Sequence, residues 1–347
     1  MRPQWLMPLI AAIVLPMLFI VWMLVSGYEP NLNQSIFDAK GPVARIEGDL
    51  FWIIFWSAAV IFVLIEGILV YAIFRFGRKP DQGLPAQTHG HTPLEIGWTI
   101  APAVVLAVVA VPTVKALWQI YDVPQDPNAL EITVTGHQWW WEFDYTKLGV
   151  VTADEVHFPQ DKLVRLTLKS DNVIHSFWIP KLGGKLDVMP NHKNQMWLQG
   201  SVPGEYYGQC VEFCGESHAF MRLRAIVDTP ADFDKWVAAQ KKPAASAAGA
   251  SKAGEDLFLG KGTCYACHTV DGLEKAKGKV GPNLTHVGTR TTLAAGIMDN
   301  NHANLVKWLS NPGAVKPGNF MANVIGKGVK LTPEETNALA IYLEGLK

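Results

Sequence analysis

The sequence predicts a multidomain membrane protein: an N-terminal apolar segment and a transmembrane helical hairpin, then a β-sandwich, then an all-α domain. Three observations carry this. Two apolar stretches, residues 50–74 and 98–120, each approach the ~20 residues needed to cross a bilayer. From Leu130 onward apolar residues fall at alternate positions between Gly-, Pro- and Asp-rich turns, the mark of a half-buried sheet. Residues 241–253 are a low-complexity Ala/Ser/Gly/Lys stretch without an aromatic, which reads as a flexible linker. A chain of 347 residues has room for two or three domains. Its formal net charge of −1 implies no nucleic-acid partner.

Residues 1–28 hold an apolar segment from Trp5 to Val25 behind Arg2, which reads as a signal peptide or a retained anchor. Residues 45–122 hold the two spans. Between them Arg75, Arg78 and Lys79 form a basic cluster that places this loop in the cytoplasm and both outer ends outside. The rival is a buried helical hairpin of a soluble protein, disfavoured by length and flanking charge. Pro102 and Pro112 fall inside the second span, where neighbouring helices or water can satisfy the freed carbonyls. Glu95 stands at its mouth, where an acid suits the helix dipole. Glu66 lies within the first span, and a contact with another subunit is its plainest explanation.

Residues 129–240 carry the alternation: Leu130, Ile132, Val134; then Val164, Leu166, Leu168; then Leu223, Ala225, Val227. Trp139, Trp140 and Trp141 are consecutive, so on a strand the outer two point one way and Trp140 the other. A short capped helix is expected over residues 229–240. Residues 254–347 form the helical domain, closed by a helix with Thr332 as N-cap, Pro333 at N1 and Glu335 at N3, a capping box. Leu339 and Leu343 line one face of it.

Two motifs carry chemistry. In QCVEFCGESHAFM, Cys210 and Cys214 stand four apart, followed by His218 and Met221. Thiolate, imidazole and thioether form a soft set that favours copper over magnesium, calcium or manganese. Two cysteines fit a pair of coppers bridged by sulfur, and DNVIHSFWIP supplies a second imidazole, His175. A structural Cys2His2 zinc site is the rival, and it leaves Met221 idle. Downstream, CYACH at residues 264–268 has the form of a covalent haem site, with thioethers from Cys264 and Cys267 and a proximal His268. A thioredoxin-like C-x-x-C is the alternative, but no βαβ pattern surrounds it. The sixth iron ligand should be a sulfur or nitrogen far along the chain, with Met321, Met298 and His302 as candidates. His137, His157, His192 and His286 read as hydrogen-bonded histidines, not metal ligands.

The first motif resembles that of cytochrome c oxidase subunit II, and the likeness extends to GHQWWWEFDY, IHSFWIP and GEYYGQC, over roughly residues 45–230. This resemblance implies a cupredoxin-like β-sandwich holding binuclear copper, CuA. Its ligands are then His175, Cys210, Cys214, His218, Met221 and the backbone carbonyl of Glu212, whose carboxylate reaches a magnesium shared with subunit I. Trp139 corresponds to the family's electron-entry aromatic, and Glu95 to a proton-path entrance into subunit I. Asn172 departs from the acid many relatives carry, which argues against docking of basic cytochromes at that edge. The last domain resembles class I cytochromes c, in GPNL at residues 281–284 and in Met321 of KPGNFMANV, the place of their axial methionine.

The resemblance implies a multi-pass subunit of a bacterial cell membrane with both redox domains on the periplasmic or extracellular side. An external donor, cytochrome or other, would reduce haem c. CuA would pass electrons to subunit I of a proton-translocating cytochrome-c oxidase, which reduces oxygen. The alternatives are the CuA-containing subunit of a nitric oxide reductase and a membrane-anchored electron carrier.

Overall fold

A computed structural model describes residues 14–15, 17–22, 26, 33–77, 87, 89–244, 250–325 and 327–347. Most of the N-terminal segment, together with Arg78 and Lys79, lies outside the described residues. Residues 17–22 are helical.

Two long helices come first, α1 (Pro42–Arg75) and α2 (Thr92–Tyr121), of 34 and 30 residues. At 1.5 Å per residue they are about 50 and 45 Å long, well beyond a ~30 Å hydrocarbon core. Both present apolar side chains outward along most of their length, as lipid-facing helices do. The α1 helix starts eight residues before the apolar stretch, because its first turn is packed on the next domain. Val43 and Ala44 are buried there, and Arg45 donates to Ser201 Oγ at 3.0 Å. The far end of α2 is tied to that domain by Trp197 Nε1, which donates to the Ile120 carbonyl at 3.1 Å. The α2 helix runs unbroken through Pro102 and Pro112.

Ten strands come next: β1 (Leu130–His137), β2 (Trp140–Tyr145), β3 (Val150–Ala153), β4 (Glu155–Pro159), β5 (Val164–Ser170), β6 (His175–Trp178), β7 (Leu186–Val188), β8 (Asn194–Leu198), β9 (Gly204–Cys210) and β10 (Arg222–Asp228). They form two five-stranded sheets, in the orders β3-β2-β1-β5-β8 and β4-β10-β9-β6-β7. The β1–β5 and β4–β10 pairs are parallel and the other pairs antiparallel. Between the sheets lie Trp141, Phe143, Phe158, Leu168, Phe177 and Leu223, all essentially inaccessible. Fully burying a side chain of this size contributes about 1.5–3 kcal/mol. The Tyr145 hydroxyl accepts from His157 N–H and donates to its carbonyl, both at 2.7 Å, stitching one sheet to the other. The expected capped helix is α3 (Pro230–Gln240), with Thr229 accepting from Asp232 N–H.

The last domain contains α4 (Ala250–Leu259), β11 (Thr292–Leu293), β12 (Met298–Asp299), α5 (His302–Ser310), α6 (Pro312–Val315), α7 (Met321–Val324) and α8 (Pro333–Gly345). The α4 helix takes up residues 250–253 of the stretch expected to be a linker, and residues 245–249 lie outside the described residues. A two-stranded hairpin, β11–β12, interrupts the helices, and Met298 sits on it, shortly before α5. The capping box at Thr332 and Glu335 forms as expected. Phe258, Leu305, Leu309, Leu339 and Leu343 make the core, which joins α4 and α5 to α8.

Candidate metal centre

The copper motif occupies one end of the second sheet, across its three inner strands. Cys210 ends β9, His175 opens β6, and Met221 immediately precedes β10. The loop between β9 and β10 is closed at its base, because Cys210 N–H donates to the Met221 carbonyl at 2.9 Å. Val211 N–H donates to the Ser176 carbonyl at 3.0 Å, which fixes the loop to β6. Gly215 sits at φ +117°, a region that favours glycine, and a Cβ there would meet the Trp139 ring at 3.0 Å.

Six donor atoms converge. Cys210 Sγ lies 3.8 Å from Cys214 Sγ, 3.9 Å from His175 Nδ1 and 3.3 Å from the Glu212 carbonyl. Cys214 Sγ lies 3.5 Å from His218 Nδ1 and 3.9 Å from Met221 Sδ. Each cysteine thus has its own imidazole and its own weaker donor, with the sulfurs side by side. Two half-sites sharing two thiolates suit a pair of soft ions better than one tetrahedral zinc, which would use four donors. His175 and Met221 are fully buried. Hydrogen bonding from Cys214 pulls the Cys210 thiol down to about 4, while the same contact, followed by burial, pushes Cys214 up. The contact thus favours ionisation of one thiol of the pair ahead of the other.

Sequence alone missed what orients the first imidazole. Asn172 Oδ1 lies 3.1 Å from His175 Nε2 and also accepts from Val173 N–H at 2.8 Å. With Nε2 donating, Nδ1 is left as the lone-pair nitrogen facing the sulfurs, the usual outer-shell arrangement at a metal-bound histidine. The signal was an amide side chain three residues before the histidine.

Trp139 is placed differently from a strand residue. It lies in the two-residue turn between β1 and β2, so the alternation expected of consecutive tryptophans starts only at Trp140. Its indole Nε1 donates to the Cys214 carbonyl at 3.0 Å, and Gln138 Nε2 donates to the same oxygen at 2.8 Å. Glu212 and Phe213 are exposed on the metal loop, Phe213 by 76 %. Glu95, at the start of α2, accepts from His91 N–H at 3.0 Å, a capping contact.

In the haem motif, Cys264–Ala266 form a single turn, with Cys267 N–H and His268 N–H both bonded to the Cys264 carbonyl. His268 Nδ1 pairs with the Pro282 carbonyl at 2.8 Å, which leaves Nε2 as the nitrogen for iron. Burial lowers the pKa of His268, favouring the neutral, ligating form. Gly281, of GPNL, lies so close that a Cβ would meet His268 Cε1 at 2.5 Å. Burial pushes the Cys264 thiol up to about 12. Met321 opens α7, packed on the domain core, as Met298 is from β12. His302 has both nitrogens engaged, by Glu344 at 2.9 Å and Asn337 at 2.8 Å. The histidines expected to be structural pair with acids or carbonyls: His137 with Asp171 at 2.6 Å, His157 with Asp228 at 2.9 Å, and His286 with the Gln240 carbonyl at 3.1 Å. His192 is exposed.

The sequence matches three family descriptions in turn: cytochrome c oxidase subunit II, transmembrane domain, over residues 29–116; the periplasmic domain of the same subunit over 150–228; and cytochrome c over 251–347. A protein named cytochrome c oxidase subunit 2 from Alkalihalophilus pseudofirmus is 36 % identical over 348 residues, covering 96 % of each chain. One of the same name from Bacillus sp. strain PS3 is 38 % identical over 292 residues, covering 79 % of this chain and 80 % of the relative. Among solved structures, the periplasmic domain of subunit II of cytochrome oxidase from Bradyrhizobium japonicum is 31 % identical, covers 34 % of this chain and 96 % of that one, and has a TM-score of 0.33.

Proposed function

The chain belongs to the cytochrome c oxidase subunit II family and carries a cytochrome c domain, and from that premise we propose that it is the electron-entry arm of its oxidase. In this reading it takes electrons from an external donor at haem c and delivers them through CuA to a catalytic subunit that reduces oxygen. Bound copper and haem would supply one-electron exchange without bond making or breaking. The residues of the chain hold those groups and set the distance between them.

The observation that carries the reading is the convergence of four further donors on two adjacent sulfurs. Cys210 and Cys214 would both be shared by the two coppers, and His175, His218, Met221 and the Glu212 carbonyl would complete the set. Cys264, Cys267 and His268 would hold haem c, with Met321 as the distal ligand. The Trp139 indole, hydrogen-bonded to the Cys214 carbonyl, would be the entry into the copper site. Glu212 and Phe213, exposed on the metal loop, would face the catalytic subunit, and the Glu212 carboxylate would share a magnesium with it. Glu95 would stand at a proton-path entrance on the cytoplasmic side, with both redox domains on the other.

Purified with its partner subunits, the complex should contain two coppers and one covalent haem per copy of this chain. Its EPR spectrum should show an unpaired electron delocalised over both coppers. Oxygen uptake with a reduced donor should exceed nitric oxide consumption. One copper with an ordinary blue-site spectrum, or stoichiometric zinc, would refute the ligand set. Met321→Ala should keep the haem attached but lower its potential, since the thioether raises it.

A further inference from the structure

The segment that carries Met321 does not hang free from the copper domain. Phe320 stacks on Trp139, with ring centroids 5.4 Å apart and planes inclined by 26°. Four residues earlier Lys316, itself buried, donates from Nζ to the Trp139 carbonyl at 2.5 Å and reaches the Ala294 carbonyl at 3.4 Å. Ser217 Oγ, next to the copper ligand His218, donates to the Pro317 carbonyl. Asn319 keeps this stretch in shape: its Nδ2 donates to the Pro312 and Lys316 carbonyls, and its Oδ1 accepts from Ala322 N–H at 2.9 Å. One side chain of the haem domain is thus pinned over the indole that donates to the Cys214 carbonyl.

The contact is held from a second side as well. Glu155, buried on β4, accepts at one carboxylate oxygen from Thr291 Oγ1, Thr292 N–H and Thr292 Oγ1, at 2.8–2.9 Å. Arg222 N–H donates to the Ala295 carbonyl and Arg224 Nη2 to the Gly296 carbonyl, both at 3.1 Å. Buried charges and backbone groups that find partners across the boundary are costly to separate, because each would lose a hydrogen bond away from water. Burial pulls Lys316 down to about 8, against the charge of Asp154.

We propose that Phe320 is the contact through which an electron crosses from the haem domain to Trp139 and so to the Cys214 carbonyl, and that Lys316 is the positioning residue that holds the two rings together. This rests on the cofactor reading above. The electron leaves the haem iron, which is oxidised, and arrives at copper, which is reduced; no proton moves and no bond breaks. Because the Trp139 face is covered by the chain's own haem domain, a soluble donor reaches copper only by way of haem c.

The test uses the complete membrane complex, first characterised by its optical and EPR spectra. Absence of the haem or dicopper signal in the unaltered complex would overturn the cofactor reading and the relay with it. With both signals present, Phe320→Leu, which keeps bulk but removes the ring, should slow flash-induced oxidation of haem c by copper severalfold. Both potentials, and the rate at which an external donor reduces haem c, should be unchanged. Phe320→Tyr should restore the internal rate. Lys316→Met should slow the same step and raise hydrogen exchange in residues 136–141 without altering the haem spectrum. An unchanged internal rate in Phe320→Leu with normal spectra would overturn the relay alone. Unaltered exchange at residues 136–141 in Lys316→Met would overturn the positioning role.

Discussion

The copper and haem sites solve the same problem by opposite means. At the copper site strand ends and one closed loop bring six donors within a few ångströms, and the sheets that do so are filled by their own aromatic core. At the haem site a single turn presents two thiols and one imidazole, and the remaining candidate ligand comes from a four-residue helix more than fifty residues on. The first is a frame awaiting ions. The second is a half-built wall that its prosthetic group must complete. A ligand that binds only the folded state stabilises that state, and folding depends on it most where the protein has least core of its own.

That contrast can be broken most visibly by blocking haem attachment. In a Cys264→Ala/Cys267→Ala chain, residues 254–347 should lose cooperative melting and amide protection, while strands β1–β10 keep theirs. Equal protection in both domains would erase the distinction. Next in size, Asn172→Ala should weaken copper binding about 10–100-fold by freeing the His175 ring, as loss of an outer-shell partner usually does. The melting temperature of the sandwich should hardly move, since Asn172 is exposed. A large fall in melting temperature with unchanged copper affinity would reverse the roles of frame and ion.

A smaller effect is expected on the haem side. Thr332→Ala removes the N-cap of α8 and should cost about 1 kcal/mol of that domain's stability, read by denaturant unfolding of the haem-loaded protein. The smallest concerns pH. Glu344, with help from Asn337, raises the pKa of His302 above 6.5. The protonated form is thus favoured by folding, so its contribution is complete below pH 6.5 and is lost as pH rises through the folded value. The pair is largely exposed, so the change should be slight and should shrink in Glu344→Gln; a slope of the opposite sign would show that His302 is not paired in solution.

Legibility from sequence divides along the same line. The proposed copper donors sit mostly within one loop, so spacing and ligand type reveal them, and strand alternation reveals the frame. The C-x-x-C-H turn is equally plain. Trp139 reads as a strand residue because a two-residue turn without Gly, Pro or Asp leaves nothing to mark it. The extra turns of α1 are hidden because Val43 and Ala44 pack on protein, outside the continuous apolar run. The contact between the redox domains leaves no trace in pattern: Lys316 and Trp139 are 177 residues apart, and a lysine in a Gly/Pro-rich loop ordinarily reads as solvated.

The carboxylate of Glu155 has a practical consequence for anyone who cuts the chain. Only 3 % exposed, it finds its hydroxyl and amide donors on Thr291 and Thr292. A fragment ending near Gln240 would open that anion to water and bare the Trp139, Trp140 and Ala153 surface that Phe320 and Ala295 otherwise cover. Such a truncation would not be a smaller copy of the copper domain. It would be a protein with a fresh greasy scar, inclined to self-associate, and its redox behaviour would describe the wound as much as the centre.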